Sequence, residues 1–414
     1  MRTIRVKAVR AALCLFSVCV AHPASAQTRP REPRRSMMLT YSLFGAGADD
    51  PDTGAAIDPR QASGMHTDSD AMLVYGLRDG HTSLQVSARS VLRYDASRRS
   101  LDTVRDQGAV ELSTGGRRTR FHAGASASYS PLYQFGAASE AQASPLSETV
   151  LAHGDFANAR LASRGSAANL DLTHAIGRRS TLSFSCGIRH TAFNDADLNS
   201  TGQEAGVRFT RGLTRRASLR LGYGYHAGRS TLVQSAPTRG HDLDLGVDYS
   251  RALSFSRHTT LGFSSGSSAL TEAQRTRYVI TGSATITRAI GRSWSARVIA
   301  RRGLQLLEGI AGPVLSDSVT TTLGGAVSRR VSFSSSAAVS SGDLGVRSGD
   351  RRYGSMSGAA GVGVAITRRL MFEGQYFYYR HRFGDGVRLA PGLANNANRQ
   401  GLRAGVTWRT PLFR

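Results

Sequence analysis

The sequence predicts an all-β fold, a closed antiparallel up-and-down transmembrane β-barrel of about eighteen strands. Three observations carry this reading. The chain opens with the layout of a cleavable export signal, and its second half repeats a hairpin unit every 37 to 41 residues. Its candidate strands alternate between an apolar face and a face of small, polar or charged residues.

The export signal comes first in the chain. Arg2, Arg5, Lys7 and Arg10 precede the apolar run Ala11 to Ala21, and Ala24-Ser25-Ala26 stands before Gln27. A basic head, a short apolar core and small residues at a cleavage point are the three parts of a secretory signal. Residues 1–26 are therefore expected to be removed after export through the Sec route. The apolar run is too short for a membrane helix, which needs about 20 residues. Ser17-Val18 before Cys19 also lacks the small residue that lipoprotein processing uses directly before its cysteine.

Removal of that segment leaves Cys186 as the sole cysteine, so neither an intramolecular disulfide nor a cysteine-based metal cluster can form. No metal or cofactor is expected. No later segment offers 18 consecutive apolar residues, which excludes a helical membrane protein. The 45 glycines, against 11 prolines, favour many strands and tight turns. Taking the four signal-segment cations from the formal charge of +24 leaves +20, and every lysine-type position after Lys7 is arginine. Genome base composition is the simplest cause of that bias. Nucleic-acid binding, the usual meaning of so basic a cytosolic chain, does not fit an exported one.

The hairpin unit is an alternating segment that ends in Ser or Thr, passes a short basic turn and resumes alternation. Its instances begin at Thr173 (THAIGRRSTL), Thr210 (TRGLTRRASL), Ser250 (SRALSFSRHTTL), Thr287 (TRAIGRSWSA), Ser328 (SRRVSFSSSA) and Thr367 (TRRLMFEGQY). Their spacings of 37, 40, 37, 41 and 39 residues fit two membrane-crossing strands, a short turn and a longer loop. Propeller blades have a similar period, but no Trp-Asp pair is present, and Gly-His, at Gly80-His81 and Gly240-His241, does not recur from unit to unit.

Alternation assigns the faces, because successive strand side chains point to opposite sides of a sheet. Leu182, Phe184, Cys186 and Ile188 oppose Ser183, Ser185, Gly187 and Arg189. Leu219, Leu221, Tyr223 and Tyr225 oppose Arg220, Gly222, Gly224 and His226; Leu243, Leu245, Val247 and Tyr249 oppose Asp244, Gly246, Asp248 and Ser250. A soluble sandwich also has one apolar face per strand. The small or charged second face, the lack of strands apolar on both sides, and the export signal favour a barrel with lipid outside and water within.

Segmentation on this basis gives strands near 37–44, 71–77, 82–94, 107–114, 118–132, 165–175, 180–192, 203–213, 216–228, 239–250, 257–267, 275–288, 293–305, 317–328, 331–342, 355–367, 370–383 and 399–409. Eighteen is even, as both termini on the periplasmic side require; sixteen is the alternative, since the first two strands alternate least clearly. Residues 27–36 then form a short periplasmic segment and 37–414 the barrel. Short turns lie on the periplasmic side and longer loops outside. Two aromatic belts follow: Phe121, Phe209, Tyr249, Trp294, Phe333, Phe372 and Trp408 near the short turns, and Tyr94, Tyr129, Tyr225, Tyr278 and Tyr378 near the loops.

The last residues, Gly401-Leu402-Arg403-Ala404-Gly405-Val406-Thr407-Trp408-Arg409-Thr410-Pro411-Leu412-Phe413-Arg414, resemble the terminal strand of bacterial outer-membrane barrels. Arg403, Gly405 and Trp408 match in kind and spacing, while Pro411 is expected to break the strand and Arg414 follows the final aromatic residue. This resemblance, to the broad porin-like superfamily of Gram-negative outer membranes, covers essentially the whole mature chain. It implies insertion by the barrel-assembly machinery and a transport role.

The lumen by alternation carries Arg89, Arg93, Arg120, Arg189, Arg208, Arg220, Arg297, Arg301, Arg403 and Arg409, with acids Glu111, Asp171, Asp244, Asp248 and Glu373. An excess of fixed positive charge favours anions in a pore, unless those arginines pair with the acids. The expected function is passive diffusion of small hydrophilic solutes, leaning to anions, through a pore without an N-terminal plug domain. The connections 133–164 and 45–70, the two longest, are candidates for folding inward, although a mobile external loop is the expected form of each. External arginines would meet lipopolysaccharide phosphates. Two other classes remain open: a barrel serving polysaccharide export or surface assembly, and a rim hydrolase. The hydrolase would draw on His190, His226 or His381 with Asp195 or Asp197, but no compact motif links them and no enzyme is expected.

Overall fold

The computed structural model describes residues 34–49, 64–95, 100–131, 133–134, 157–159, 162–194, 199–214, 216–230, 238–253, 256–272, 275–306, 313–344, 352–384 and 395–413. Residues 1–33, including the expected export signal, Asp195, Asp197 and most of 133–164 lie outside them. The elements in order are β1 (Arg34–Asp49), β2 (Gly64–Asp79), β3 (Thr82–Asp95), β4 (Ser100–Gly115), β5 (Thr119–Ser130), β6 (Tyr133–Gln134), β7 (Ala157–Ala159), β8 (Ser163–Ala175), β9 (Ser180–Phe193) and β10 (Asn199–Gly212). There follow β11 (Ala217–Ser230), β12 (Thr238–Leu253), β13 (Ser256–Glu272), β14 (Arg275–Ile290), β15 (Trp294–Leu306), β16 (Pro313–Ala326), β17 (Val331–Leu344), β18 (Arg352–Ala365), β19 (Leu370–Phe383) and β20 (Asn396–Phe413).

Eighteen of these strands form one antiparallel sheet that closes on itself, each pairing with its neighbours in the chain and β1 pairing with both β2 and β20. The short β6 and β7 pair only with each other, within the connection from β5 to β8. The first two strands belong to the ring, so the count is eighteen. Closure leaves no unpaired edge, which is what lets a sheet stand in hydrocarbon.

Arg208 on β10 reaches Asp244 on β12 at 3.5 Å, across the whole of β11. Side chains converge over an intervening strand on the concave side of a curved sheet, so the polar face is the inside. The opposite face is apolar and open, with Leu245 66 %, Leu402 65 % and Ile280 73 % exposed. A water-soluble barrel would turn that face inward. This one is inverted, as a bilayer demands.

On the outer face the apolar run ends in a polar collar: Leu182, Phe184, Cys186 and Ile188 give way to His190, which bonds Thr201, and Val298 and Ala300 give way to Arg302, which donates to Asp317 at 3.4 Å. The segment 180–188 at about 3.3 Å per residue and about 40° tilt spans about 23 Å, close to the ~25 Å apolar band of such barrels. Yet strands run to between 12 and 18 residues, so the ladder continues past the band on the loop side.

Two expectations are corrected by this overhang and by β20. The stretch 45–70 is wall at both ends, since β1 reaches Asp49 and β2 starts at Gly64, and 50–63 lie outside the described residues. Pro411 does not end the last strand: β20 runs to Phe413, and a register shift beside Met37 and Met38 accommodates the proline. A residue without an N–H is tolerated in a sheet where such a bulge relieves the ladder.

The repeated hairpin has a local cause. Thr214 Oγ1 accepts the backbone N–H groups of Arg216 and Ala217, Ser328 Oγ those of Arg330 and Val331, and Thr367 Oγ1 those of Arg369 and Leu370. Each hydroxyl closes the turn over two arginines. Two other turns use glycines in the left-handed region instead, Gly80 at φ 52° and Gly291 at φ 63°.

Candidate functional site

Strand pairing puts Arg89, Arg93, Arg120, Arg189, Arg208, Arg220, Arg297, Arg301, Asp171, Asp244, Asp248 and Glu373 on the concave face. They do not form one ring of charge. Instead most gather into two walls on opposite sides of the barrel, with Arg120, Asp171, Arg189, Arg297 and Arg301 on the strands between.

The first wall is built by β10 to β13. Arg220 lies within 2.5 Å of Asp244 and donates to Asp248 at 2.5 Å, while its other Nη donates to the Ser265 carbonyl at 3.5 Å. His226 stands 3.1 Å from Asp242. The register between β12 and β13 slips here: Leu243 faces Ser267, but Tyr249 faces Phe263. Arg220 thus bridges a bulge that presents Asp244 and Asp248 from one strand. Bulges commonly re-aim side chains in this way.

The second wall runs from β18 through β20 to β1, β2 and β3. Arg93 donates to both oxygens of Asp68 at 2.7 and 2.8 Å, and Arg89 to both of Asp70 at 3.0 and 2.6 Å. These are planar two-bond pairs, the strongest geometry available to arginine and carboxylate. Arg403 stacks over the Phe44 ring at 3.8 Å. Above them Tyr379 and His381 are fully or nearly fully buried, bonded through Nδ1 and the phenol oxygen at 3.0 Å. Phe377, Phe383 and Tyr353 are buried alongside. Glu373 lies under the charges of Arg403 and Arg409 and accepts from Thr407 at 3.5 Å.

Between the walls Arg120, Arg297 and Arg301 are exposed, and among the described residues no carboxylate pairs with them. The uncompensated positive charge therefore rests on fewer residues than alternation alone indicates, because Arg89, Arg93 and Arg220 are neutralised by acids.

Sequence reasoning missed Asp68, Asp70 and Asp242. The first two fell in a stretch read as loop; their signal was Asp-x-Asp continuing the alternation of β2. On the outer face, Trp294 and Phe333 stand 5.8 Å apart and Tyr249 and Phe263 5.7 Å, at the level of Phe121, Phe209, Phe372 and Trp408 near the turns. Tyr75 and Phe413 join this belt at 6.3 Å and were not foreseen. Tyr94, Tyr129, Tyr225, Tyr278 and Tyr378 lie towards the loop ends, with the Tyr225 ring 5.3 Å from His241 and tilted by 55°.

The three histidines considered for hydrolysis are not brought together. His190 is on the outer face with Thr201, whereas His226 and His381 occupy the two opposing inner walls.

No protein-family model matches the chain, and no curated protein does. Solved structures are similar in fold. Pseudomonas aeruginosa OpdQ is 10 % identical with a TM-score of 0.47, covering 92 % of this chain and 98 % of its own. OpdO of the same organism is 13 % identical at a TM-score of 0.46 with the same coverage, and Acinetobacter baumannii OccAB3 is 10 % identical at 0.44, covering 91 % of this chain and 99 % of its own.

Proposed function

We propose that this chain is an outer-membrane channel for passive diffusion of small hydrophilic solutes, with a lean towards anions. The observation that carries the reading is the inverted barrel: a closed eighteen-stranded ring, apolar outside, whose interior holds two opposed walls of paired charge and, between them, arginines without acid partners. A ring of this strand number encloses an aqueous lumen unless something fills it. Exposed Arg120, Arg297 and Arg301 lower the barrier for anions, while the buried aromatic cluster of β18 and β19 narrows one side of the passage. Residues 1–26 act as the Sec signal, β20 is the strand read by the barrel-assembly machinery, and arginines beyond the collar on the loop side meet lipopolysaccharide phosphates.

Planar-bilayer recording tests this. The expected result is discrete conductance with a reversal potential displaced towards the anion equilibrium value in a salt gradient. Silent insertion of the full barrel, opening only after 133–164 is deleted, would instead mark a plugged export or assembly barrel. Cation selectivity in the intact protein would remove the lean to anions.

A further inference from the structure

The short turns repeat one composition that the channel reading does not use. In four of them an aliphatic residue precedes two arginines with one small residue between: Ile176 before Arg178-Arg179, Leu213 in Leu-Thr-Arg-Arg, Val327 before Arg329-Arg330 and Ile366 before Arg368-Arg369. The turn itself needs no arginine. Its geometry is set by the hydroxyl of Thr214, Ser328 or Thr367 and by backbone bonds such as Thr367 N–H to the Leu370 carbonyl at 3.0 Å. Any residue able to adopt a turn conformation would serve at the two following positions. Among the described residues, no carboxylate pairs with the six guanidinium groups of Arg178, Arg179, Arg329, Arg330, Arg368 and Arg369, and all six are exposed.

The aliphatic residue decides the depth at which those arginines stand. Ile176, Leu213, Val327 and Ile366 continue the outer, apolar parity of their strands, and they are 55 %, 50 %, 62 % and 51 % exposed. They are not singly scattered residues but the continuation of one apolar outer face to the ends of four strands, and a contiguous apolar surface of that kind is unfavourable in water. They fit if the hydrocarbon boundary reaches the turns, which lie directly beyond the belt of Trp294, Phe333, Phe372 and Trp408. The arginines one or two residues further on then stand in the headgroup layer, stems along the apolar edge and guanidinium groups at phosphate height.

We propose that the short-turn rim is a binding surface for the phosphate groups of anionic glycerophospholipids in the leaflet that it faces. Planar guanidinium forks pair with phosphate oxygens through two bonds at once, and adjacent doublets around the ring gather a shell of such lipids. The inference rests on the membrane-embedded reading above, and deepens it by naming the lipid class that the rim selects.

The molecule carries its own reporter, since its two tryptophans, Trp294 and Trp408, both lie in the belt next to this rim. The full barrel is inserted into phosphatidylcholine vesicles containing increasing fractions of brominated phosphatidylglycerol or, in parallel, brominated phosphatidylcholine, and quenching of tryptophan fluorescence is compared. The expected result is a preference for the anionic lipid of about threefold to tenfold. Replacing Arg178, Arg179, Arg329, Arg330, Arg368 and Arg369 together by Gln keeps every turn hydroxyl and is expected to bring that ratio to about one. A wild-type ratio near one, or a ratio unchanged in the six-Gln variant, overturns the proposal. Absence of quenching by either lipid overturns the membrane reading itself, so the two failures are told apart. Retained β-sheet circular dichroism in the variant confirms that the comparison is made on a folded barrel.

Discussion

The two inner walls use the same pair of residue types to different ends. Along β1 to β3, Asp68 and Asp70 are each held by one arginine through two bonds, and Asp68, opposite Phe44 in the β1–β2 ladder, is almost completely buried. Along β10 to β13, Arg220 is shared by two acids and a carbonyl, and Asp248 and Arg208 remain open to the lumen. One wall spends its charges on holding neighbouring strands together; the other keeps part of its charge facing the passage. Exposure of the charged groups, more than their number, therefore decides which arginines act on a solute and which act on the wall.

That contrast can be broken first at Asp68. Asp68→Ala removes a nearly buried carboxylate together with both of its bonds to Arg93, and is expected to lower stability by about 3 kcal/mol or more, seen as a lower urea midpoint for barrel unfolding in vesicles. A loss below about 1 kcal/mol would mean that this wall is held by its aromatic residues alone. Arg220→Gln should cost less, about 2–3 kcal/mol, because Asp244 and Asp248 keep access to water. Unlike Asp68→Ala, it should also move the reversal potential towards cations, as two carboxylates lose their counter-charge. Tyr379→Phe removes the hydroxyl bonded to His381 and should cost about 1–2 kcal/mol, with ion selectivity unchanged. Least disturbing to the fold is Arg297→Gln combined with Arg301→Gln. Stability should stay within about 0.5 kcal/mol while anion preference falls, and an unaltered reversal potential would place the selective charge elsewhere.

Where the chain crosses the apolar band, the fold was legible. Leu182 to Ile188 and Leu243 to Tyr249 must alternate because one neighbour meets hydrocarbon and the next meets water, and period two then yields faces, strand number and belts together. Beyond the band that constraint lapses. Gly45 to Asp49 and Gly64 to Asp70 are paired strand with little apolar content on their outer face, so they read as loop and took Asp68 and Asp70 with them. The pairing of charges was not legible either. Arg89 bonds Asp70 although its direct partner across the ladder is Met72, and Arg220 gathers two acids from one strand because of a slip in register between β12 and β13. Such diagonals depend on twist and on bulges, which no single strand encodes. Pro411 misled for the opposite reason: its local rule is sound, and a bulge at Leu412 in its own strand answers it.

The pairing of β1 with β20 has a further consequence. Seventeen of the eighteen ladders join strands consecutive in the ring of the chain, across short turns or single loops, whereas this one brings Ser42 against Thr407. Its contact carries the whole chain as its loop, so it has the largest entropy of closure and no local turn to nucleate it. Biogenesis then has a defined last act. Hairpins can form one after another, but until the two ends of the chain meet, both terminal strands present unpaired backbone to lipid. The irregular register at Met37 and Pro411 lies on that joint, so the ladder with the longest loop to close is also one that departs from regular pairing.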